Sequence, residues 1–492
     1  MTMNISVKSM RHKAALLCAG FLAPLYLQAQ TAANSQSGTL PLTDFSAFKD
    51  PSKSWQIVGD VSADLGKDNT LSGSKGTGVL INLPNKKNHG ADLYTTAEYG
   101  DTELELDYMM AKGSNSGIYL QGRYELQLLD SWNVKTPKAS DNGGIYERWD
   151  ESKPEGQKGY GGHPPRQNAS RAPGLWQHLK VSFQAPKFDA SGKKIQNARM
   201  LRVELNGVTI HEDVELLGPT RGAMGNDEKA TGPIRIQGDH GAVAFRNISI
   251  SAPTPAPQEQ ANTRRNNNPV DPILVEAPVN TILRSFMDLP GQPRTRVVHA
   301  VSVGSPQKVH YTYDLDKGAV IQVWRGNFLD ATPMWHDRGD GSSRPAGMVQ
   351  RFGQPVFALA KLGSAQAAWV ADSAGTGYRP KGYTLDENDQ PTFKYRMYGA
   401  TVSDAIRVLD NGQGIHREIT VQNPVGGELY ARLAEGASIE EDKSNGAYLV
   451  DGKAYYLRLD DAKGTKPVVR DANGRKELVV PVRGKVGYSI LF

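Results

Sequence analysis

A period-two alternation of apolar and polar residues runs through most of this 492-residue chain. In TELELDYMM, Leu104, Leu106 and Tyr108 alternate with Glu103, Glu105 and Asp107; HLKVSFQAP, MLRVELNGVTI and VAFRNISIS repeat the pattern. Residues two apart share one face of a strand, so each run has an apolar side to bury and a polar side to expose. No amphipathic helical period competes with it. Asn206-Gly207 sits between two such runs and is the strongest short hairpin signal, since a type I′ turn needs positive φ at both central positions. The 51 glycines add to turn clusters of Gly, Asn, Asp and Pro. The expected fold is all-β: a jelly-roll sandwich first, then a second β-sandwich-like domain carrying KVHYTYDL, AVIQVWRG, GIHREITVQ, AYYLRLDD and KVGYSILF.

The chain is too long for one ordinary core. Between the two β-rich parts lies APTPAPQEQANTRRNNNP, rich in Pro, Gln and Asn and nearly free of apolar side chains, which reads as a linker over 252–269. That places the first domain at 40–251 and the second at 270–492. At the N-terminus Lys8, Arg11 and Lys13 precede AALLCAGFLAPLYL, with Ala29 at the expected cleavage point, so 1–29 reads as a signal peptide. The apolar run is too short and too Pro-interrupted to span a bilayer. The expectation is export to the periplasm or beyond, with no stable membrane insertion after cleavage. The single cysteine, Cys18, lies inside that apolar run, so the mature chain has neither disulfide nor thiol nucleophile. A lipid anchor there would follow Leu17, a poor fit to the small residue such a site prefers. A net charge of +5 without a basic, aromatic-laced stripe argues against nucleic acid.

One stretch departs from the bland pattern. In GSNSGIYLQGRYELQLLDSW (113–132), Arg123, Glu125 and Gln127 share one strand face and Tyr124, Leu126 and Leu128 the other. The apolar set buries; the polar set faces water or a ligand. Asp130 falls on the wrong face of a regular strand, and a β-bulge near Leu128–Leu129 would return it to the polar one. The E-x-Q-x-x-D spacing is like the E-x-D-x-x-E of laminarinase-type β-glucanases, with an amide in place of the central acid. Direct double displacement needs two carboxyls about 5–5.5 Å apart. An exposed face with ordinary cross-strand pairs explains the pattern about as well. Other candidates are Asn115 in a turn, Tyr146, Arg148 and Trp149 in a loop, His163 in a Gly/Pro-rich loop, and Gln237, Asp239 and His240 at a hairpin before Gly241. No zinc, phosphate-loop or serine-hydrolase motif is present, and a divalent metal would have to come from Asp, Glu, His and carbonyls without diagnostic spacing.

DLYTTAEYGDTELELDYMMAKGSNSGIYLQGRYELQLLDSW, NASRAPGLWQHLKVSFQAPKFDASGKKIQNARMLRVELNGVTIHEDVEL and TGPIRIQGDHGAVAFRNISI together resemble the 3-keto-disaccharide hydrolase domain family, over roughly Leu40 to Ile250. The resemblance implies a concanavalin A-like lectin/glucanase jelly roll. Its family-typical segments include Asn115-Ser116-Gly117, Glu125, Gln127, Asp130, Asn168 and Gln237…His240…Arg246. Many members carry Arg where this chain has Gln121, and Arg123 is the candidate to compensate. The second domain resembles a β-rich module that accompanies such domains, with His310, Trp324, Trp335, His336 and Asp337 as a polar-aromatic group better read as core plus turn. Without C-x-x-C-H it holds no covalent c-type haem.

The family implies a sugar already oxidised at C3, which an upstream sugar 3-dehydrogenase would supply. A C3 ketone acidifies the C2 proton; a base removes it, the group at C1 leaves, and water adds to the resulting alkene. Such a site needs a base, an acid and a holder for the enolate oxygen. The expected catalytic residues are Glu125, Asp130 and His240; the expected sugar contacts are Asn115, Arg123, Gln127, Tyr146, His163 and Gln237; Arg123 or a divalent cation would hold the enolate. Two rivals stand beside this reading: a retaining β-glucanase using Glu125 and Asp130, and a lectin-like binder without chemistry.

Overall fold

Period-two patterning becomes strands nearly everywhere. A computed structural model of the chain describes residues 38–253, 270–291, 295–364, 366–423, 428–442 and 445–492. The expected signal peptide with Cys18 and Ala29, and linker positions 254–269, lie outside the described residues. The only α-helix among the described residues is one turn, Thr332–Trp335, and none is long and apolar enough to cross a membrane. The fold is all-β.

Residues 38–251 form a sandwich of two main antiparallel sheets. The larger runs Val208–Leu216, Ala198–Leu205, Gln177–Gln184, Thr102–Met110, Val243–Ser251, Val79–Asn82 and Trp55–Val58, with Gly38–Thr39 beside Val243–Ser251. The smaller runs Tyr124–Leu129, Asn115–Leu120, Arg235–Ile236, Leu93–Thr95 and Phe48–Lys49. Leu104, Leu106, Tyr108, Leu179, Val181 and Phe183 from the first meet Ile118, Leu120, Tyr124, Leu126 and Leu128 from the second, all buried. Tyr124 and Phe183 rings touch across the layers at 5.5 Å. Asn206 and Gly207, at φ 52° and 80°, make the tight turn their sequence predicts.

Residues 270–492 fold into three sheets of six, four and eight strands rather than a simple pair. No sheet draws strands from both sides of the linker among the described residues. The two sides nevertheless pack together: Trp132, Ala172 and Leu175 share an apolar cluster with Leu449, Tyr456 and Leu491. Trp132 Nε1 donates to the Phe492 carbonyl at 2.8 Å, and Lys453 bridges to Asp60 at 2.7 Å.

Candidate functional site

Tyr124–Leu129 pairs with Asn115–Leu120 in unbroken antiparallel register, Glu125 opposite Tyr119 and Gln127 opposite Gly117. Tyr124, Leu126 and Leu128 enter the core as expected. Glu125 and Gln127 point the other way, yet are only 2% and 5% exposed. The cover comes from the strand's open edge. Gln127 exchanges backbone bonds with Gly143 and Gly144, Tyr146 N–H donates to the Glu125 carbonyl, and Glu125 N–H donates to Thr220 Oγ1. Those two loops turn a sheet surface into the floor of a pocket.

The pocket, about 350 Å³, is lined by Asn115, Tyr119, Glu125, Gln127, Tyr146, Arg221, Gly222, Gln237 and His240. Burial pushes the Glu125 carboxyl up to about 8. A hydrogen bond from the Tyr119 hydroxyl and the Arg235 charge work against burial, while Asp92 and Asp239 add to it. Arg235 cannot neutralise Glu125 because Asp92 holds it at 2.6 Å, and its guanidinium lies 4.2 Å over the Tyr119 ring. Burial and the adjacent Glu125 in turn push the Tyr119 hydroxyl up. The Glu125 carboxyl lies across the backbone of Gly117, where a Cβ would occupy its place. Asn115 Oδ1 accepts from Gln127 Nε2 at 3.2 Å, fixing two amides side by side. Arg221 stacks 3.6 Å over Trp149 and hydrogen-bonds Tyr146, whose hydroxyl burial raises and Arg221 lowers.

His240 sits exposed at the rim, its Nδ1 on the Asp239 carboxylate. The expected hairpin there is instead a crossover: Arg235–Ile236 belongs to the smaller sheet and Val243–Ser251 to the larger. Asn82 Nδ2 pins this crossover by donating to the carbonyls of Gly238 at 2.7 Å and Gly241 at 3.3 Å.

Three expectations fail on geometry. The bulge at Leu128–Leu129 does not form, and Asp130 turns to the 111–114 turn, accepting from Gly113 N–H at 2.8 Å and Trp132 N–H at 3.4 Å. It does not line the pocket, so Glu125 and Asp130 make no glucanase-like pair. Arg123 belongs to the turn ahead of the strand, where Asp227 and the Gln121 carbonyl take its guanidinium. Gln121, at φ 54°, donates to the Tyr99 and Ala230 carbonyls, so neither residue reaches the pocket. His163 lines a neighbouring pocket that shares Tyr146 with this one. Asn168 ties down the 131–134 loop and Arg246 bonds Asp107. In the second part, His310 and Trp324 are core, while Trp335 at the end of the short helix and His336 and Asp337 just after it stand exposed.

Sequence reading missed Tyr119, Arg221 and Gly222. Tyr119 was legible, because it shares Asn115's period-two face; Arg221 arrives from a loop far downstream with no local signal. Glu125 and His240 are the only acidic or imidazole side chains lining the pocket. Among the described residues no group of three or more His, Cys, Asp or Glu is placed to hold a metal ion. These residues thus offer no ready three-ligand set.

This geometry defines a β-sandwich domain with a pocket on the polar face of one sheet. Residues 44–251 match the model of the 3-keto-alpha-glucoside-1,2-lyase-like domain. The match supports a carbohydrate-acting role for these residues. Among solved structures, a Parabacteroides distasonis protein provisionally named a glycosyl hydrolase is 27% identical, over 44% of this chain and 84% of its own, with a TM-score of 0.30. A second protein of that organism with the same provisional name is 19% identical, over 44% and 99%, at 0.29. The binding domain of botulinum neurotoxin serotype D is 9% identical, over 92% and 97%, at 0.24. No curated protein matches the chain.

Proposed function

We propose that this is an exported protein whose 44–251 domain cleaves the glycosidic bond of 3-keto-glucosides by elimination followed by hydration. The observation that carries this reading is one buried carboxyl, Glu125, raised to about 8 without a cation partner of its own and facing a polar pocket. Direct glycoside hydrolysis takes two carboxyl groups flanking the bond; C2 proton abstraction takes one base near the operating pH.

Glu125 takes the C2 proton, and the C2–H electrons form an enolate at the C3 oxygen, held by His240 at the rim. As the C3 carbonyl re-forms, C1=C2 forms and the C1–O bond breaks. Tyr146, hydrogen-bonded to Arg221, gives the departing oxygen its proton. The product enone is electrophilic at C1; water adds there, C2 regains a proton, and net hydrolysis is complete. Asn115, Gln127 and Gln237 supply amides for sugar hydroxyls.

The test is product formation from a 3-keto-glucoside and its unoxidised parent, each with and without chelator, in the wild type and in Glu125→Gln. Cleavage of the keto sugar alone, abolished in the variant, is expected. Cleavage of the unoxidised parent supports a conventional glycosidase, and binding without any cleavage supports a lectin-like role; either result overturns the proposal.

A further inference from the structure

Beside the Glu125 pocket lies a second one of about 460 Å³, and Tyr146 is the residue common to both. Consecutive residues also divide between them, Thr220 lining this pocket and Arg221 the first. The two differ in chemistry. The Glu125 pocket carries three side-chain amides, the groups that recognise sugar hydroxyls. The second has none; its wall is Ile145, Val214, Leu216 and Leu217 with the rings of Tyr146 and Tyr160. Its two carboxylates are engaged elsewhere, Asp213 with Arg199 at 2.8 Å and Glu215 with Asn197 at 3.0 Å. Leu217 is 63% exposed, among the most exposed large apolar side chains described. Apolar surface left open within a pocket marks a ligand contact more often than a packing defect.

We infer that this second pocket receives the leaving group, and that it selects aryl aglycones over sugars and small alkyl groups. The inference rests on the elimination reading above, because it takes Tyr146 as the boundary between the oxidised ring and the group it releases. A planar ring lies against Tyr160 and Leu217, where a second sugar would face an apolar wall without amide or free carboxylate partners. Arg148, His163 and Thr220 occupy the remaining polar positions.

The experiment compares phenyl and methyl 3-keto-glucosides on the full chain, in the wild type and in Leu217→Asp and Tyr160→Ala. The readout is how the phenyl-to-methyl ratio of kcat/KM changes between wild type and variant, which cancels the intrinsic reactivity of the two leaving groups. The ratio falls about tenfold or more in each variant, the range expected for loss of apolar contact or addition of a charge to an apolar pocket. Because Leu217 is largely exposed, its variant folds like the wild type. An unchanged ratio in both variants overturns the inference. In parallel, calorimetry measures binding of unoxidised phenyl and methyl glucoside. If no keto sugar is cleaved, the elimination reading fails by itself. Phenyl glucoside binding about tenfold tighter, with the advantage lost in Leu217→Asp, then still supports an aryl pocket. Equal binding of the two glucosides contradicts it.

Discussion

Each half of the molecule buries a carboxylate in β structure, and the two are handled in opposite ways. Asp404, fully buried, accepts from Arg417 Nε at 2.9 Å and Nη2 at 2.6 Å, and from the Tyr313 hydroxyl at 2.8 Å. Arg417 is completed by the Tyr488 hydroxyl and the Gly318 carbonyl. Charge, geometry and donors are matched, and the network sits inside the core beside Tyr313 stacked on Phe393. Glu125 is buried as deeply but receives a phenol, while the nearby Arg235 is bound to Asp92. A matched pair is costly to break from one side; an unmatched carboxyl raised to about 8 is poised to move a proton. The difference distinguishes structure from chemistry where burial alone does not.

The largest expected effect that would break this comparison is on activity. Glu125→Gln, which keeps shape and removes the base, should lower kcat/KM for a 3-keto-glucoside by roughly 10²–10⁴. The same variant should raise Tm by several degrees at pH 8. An unfolded glutamate titrates near 4.3, whereas the folded group holds its proton up to about 8. Between those values the native state binds more protons, so the wild type loses stability as pH rises, and a glutamine does not. Thermal melts from pH 4 to 9 should show the gap between variant and wild type widening upward and flattening above 8. A widening toward acid would contradict the assignment.

At Asp404 the opposite holds. Arg417→Met leaves a carboxylate buried without its cation and should cost about 3–5 kcal/mol, read by denaturant unfolding. Glu125→Gln destabilising by as much would erase the contrast between the two carboxyls. Smaller again is Gly117→Ala. The added methyl displaces the Glu125 carboxyl, a side-chain end that can move, so activity should fall by roughly tenfold or more while Tm changes little. Smallest is Asp130→Asn. It weakens the acceptor for Gly113 N–H and should cost stability by only about 1 kcal/mol, leaving kcat/KM within about twofold. A large activity loss there would restore Asp130 to the chemistry.

Much of this was legible in the strands and little of it in the loops. Alternation sorted Tyr124, Leu126 and Leu128 from Glu125 and Gln127 without ambiguity, because a strand allows only two faces. The same rule, applied to NSGIYL, brings Tyr119 and Gly117 beneath the carboxyl. It fails at Asp130 because the ladder stays regular where a bulge is expected, and at Arg123 because the strand begins only at Tyr124, leaving Arg123 in the preceding turn. Arg221 and Tyr146 reach the pocket through backbone bonds between loops, Arg221 N–H to the Glu147 carbonyl and Tyr146 N–H to Glu125, which no local pattern encodes. The hairpin assigned to Asp239-His240 failed for a related reason. A short strand that changes sheets looks, in sequence, like one that turns back.

Removal of the C2 proton by Glu125 has a direct isotopic signature. It is tested most directly by incubating a 3-keto-glucoside in deuterated buffer and following deuterium at C2 of recovered substrate and product by NMR. Deuterium should enter C2 in the wild type, with none above the uncatalysed rate in Glu125→Gln. Cleavage by the wild type with C2 protium fully retained would contradict it.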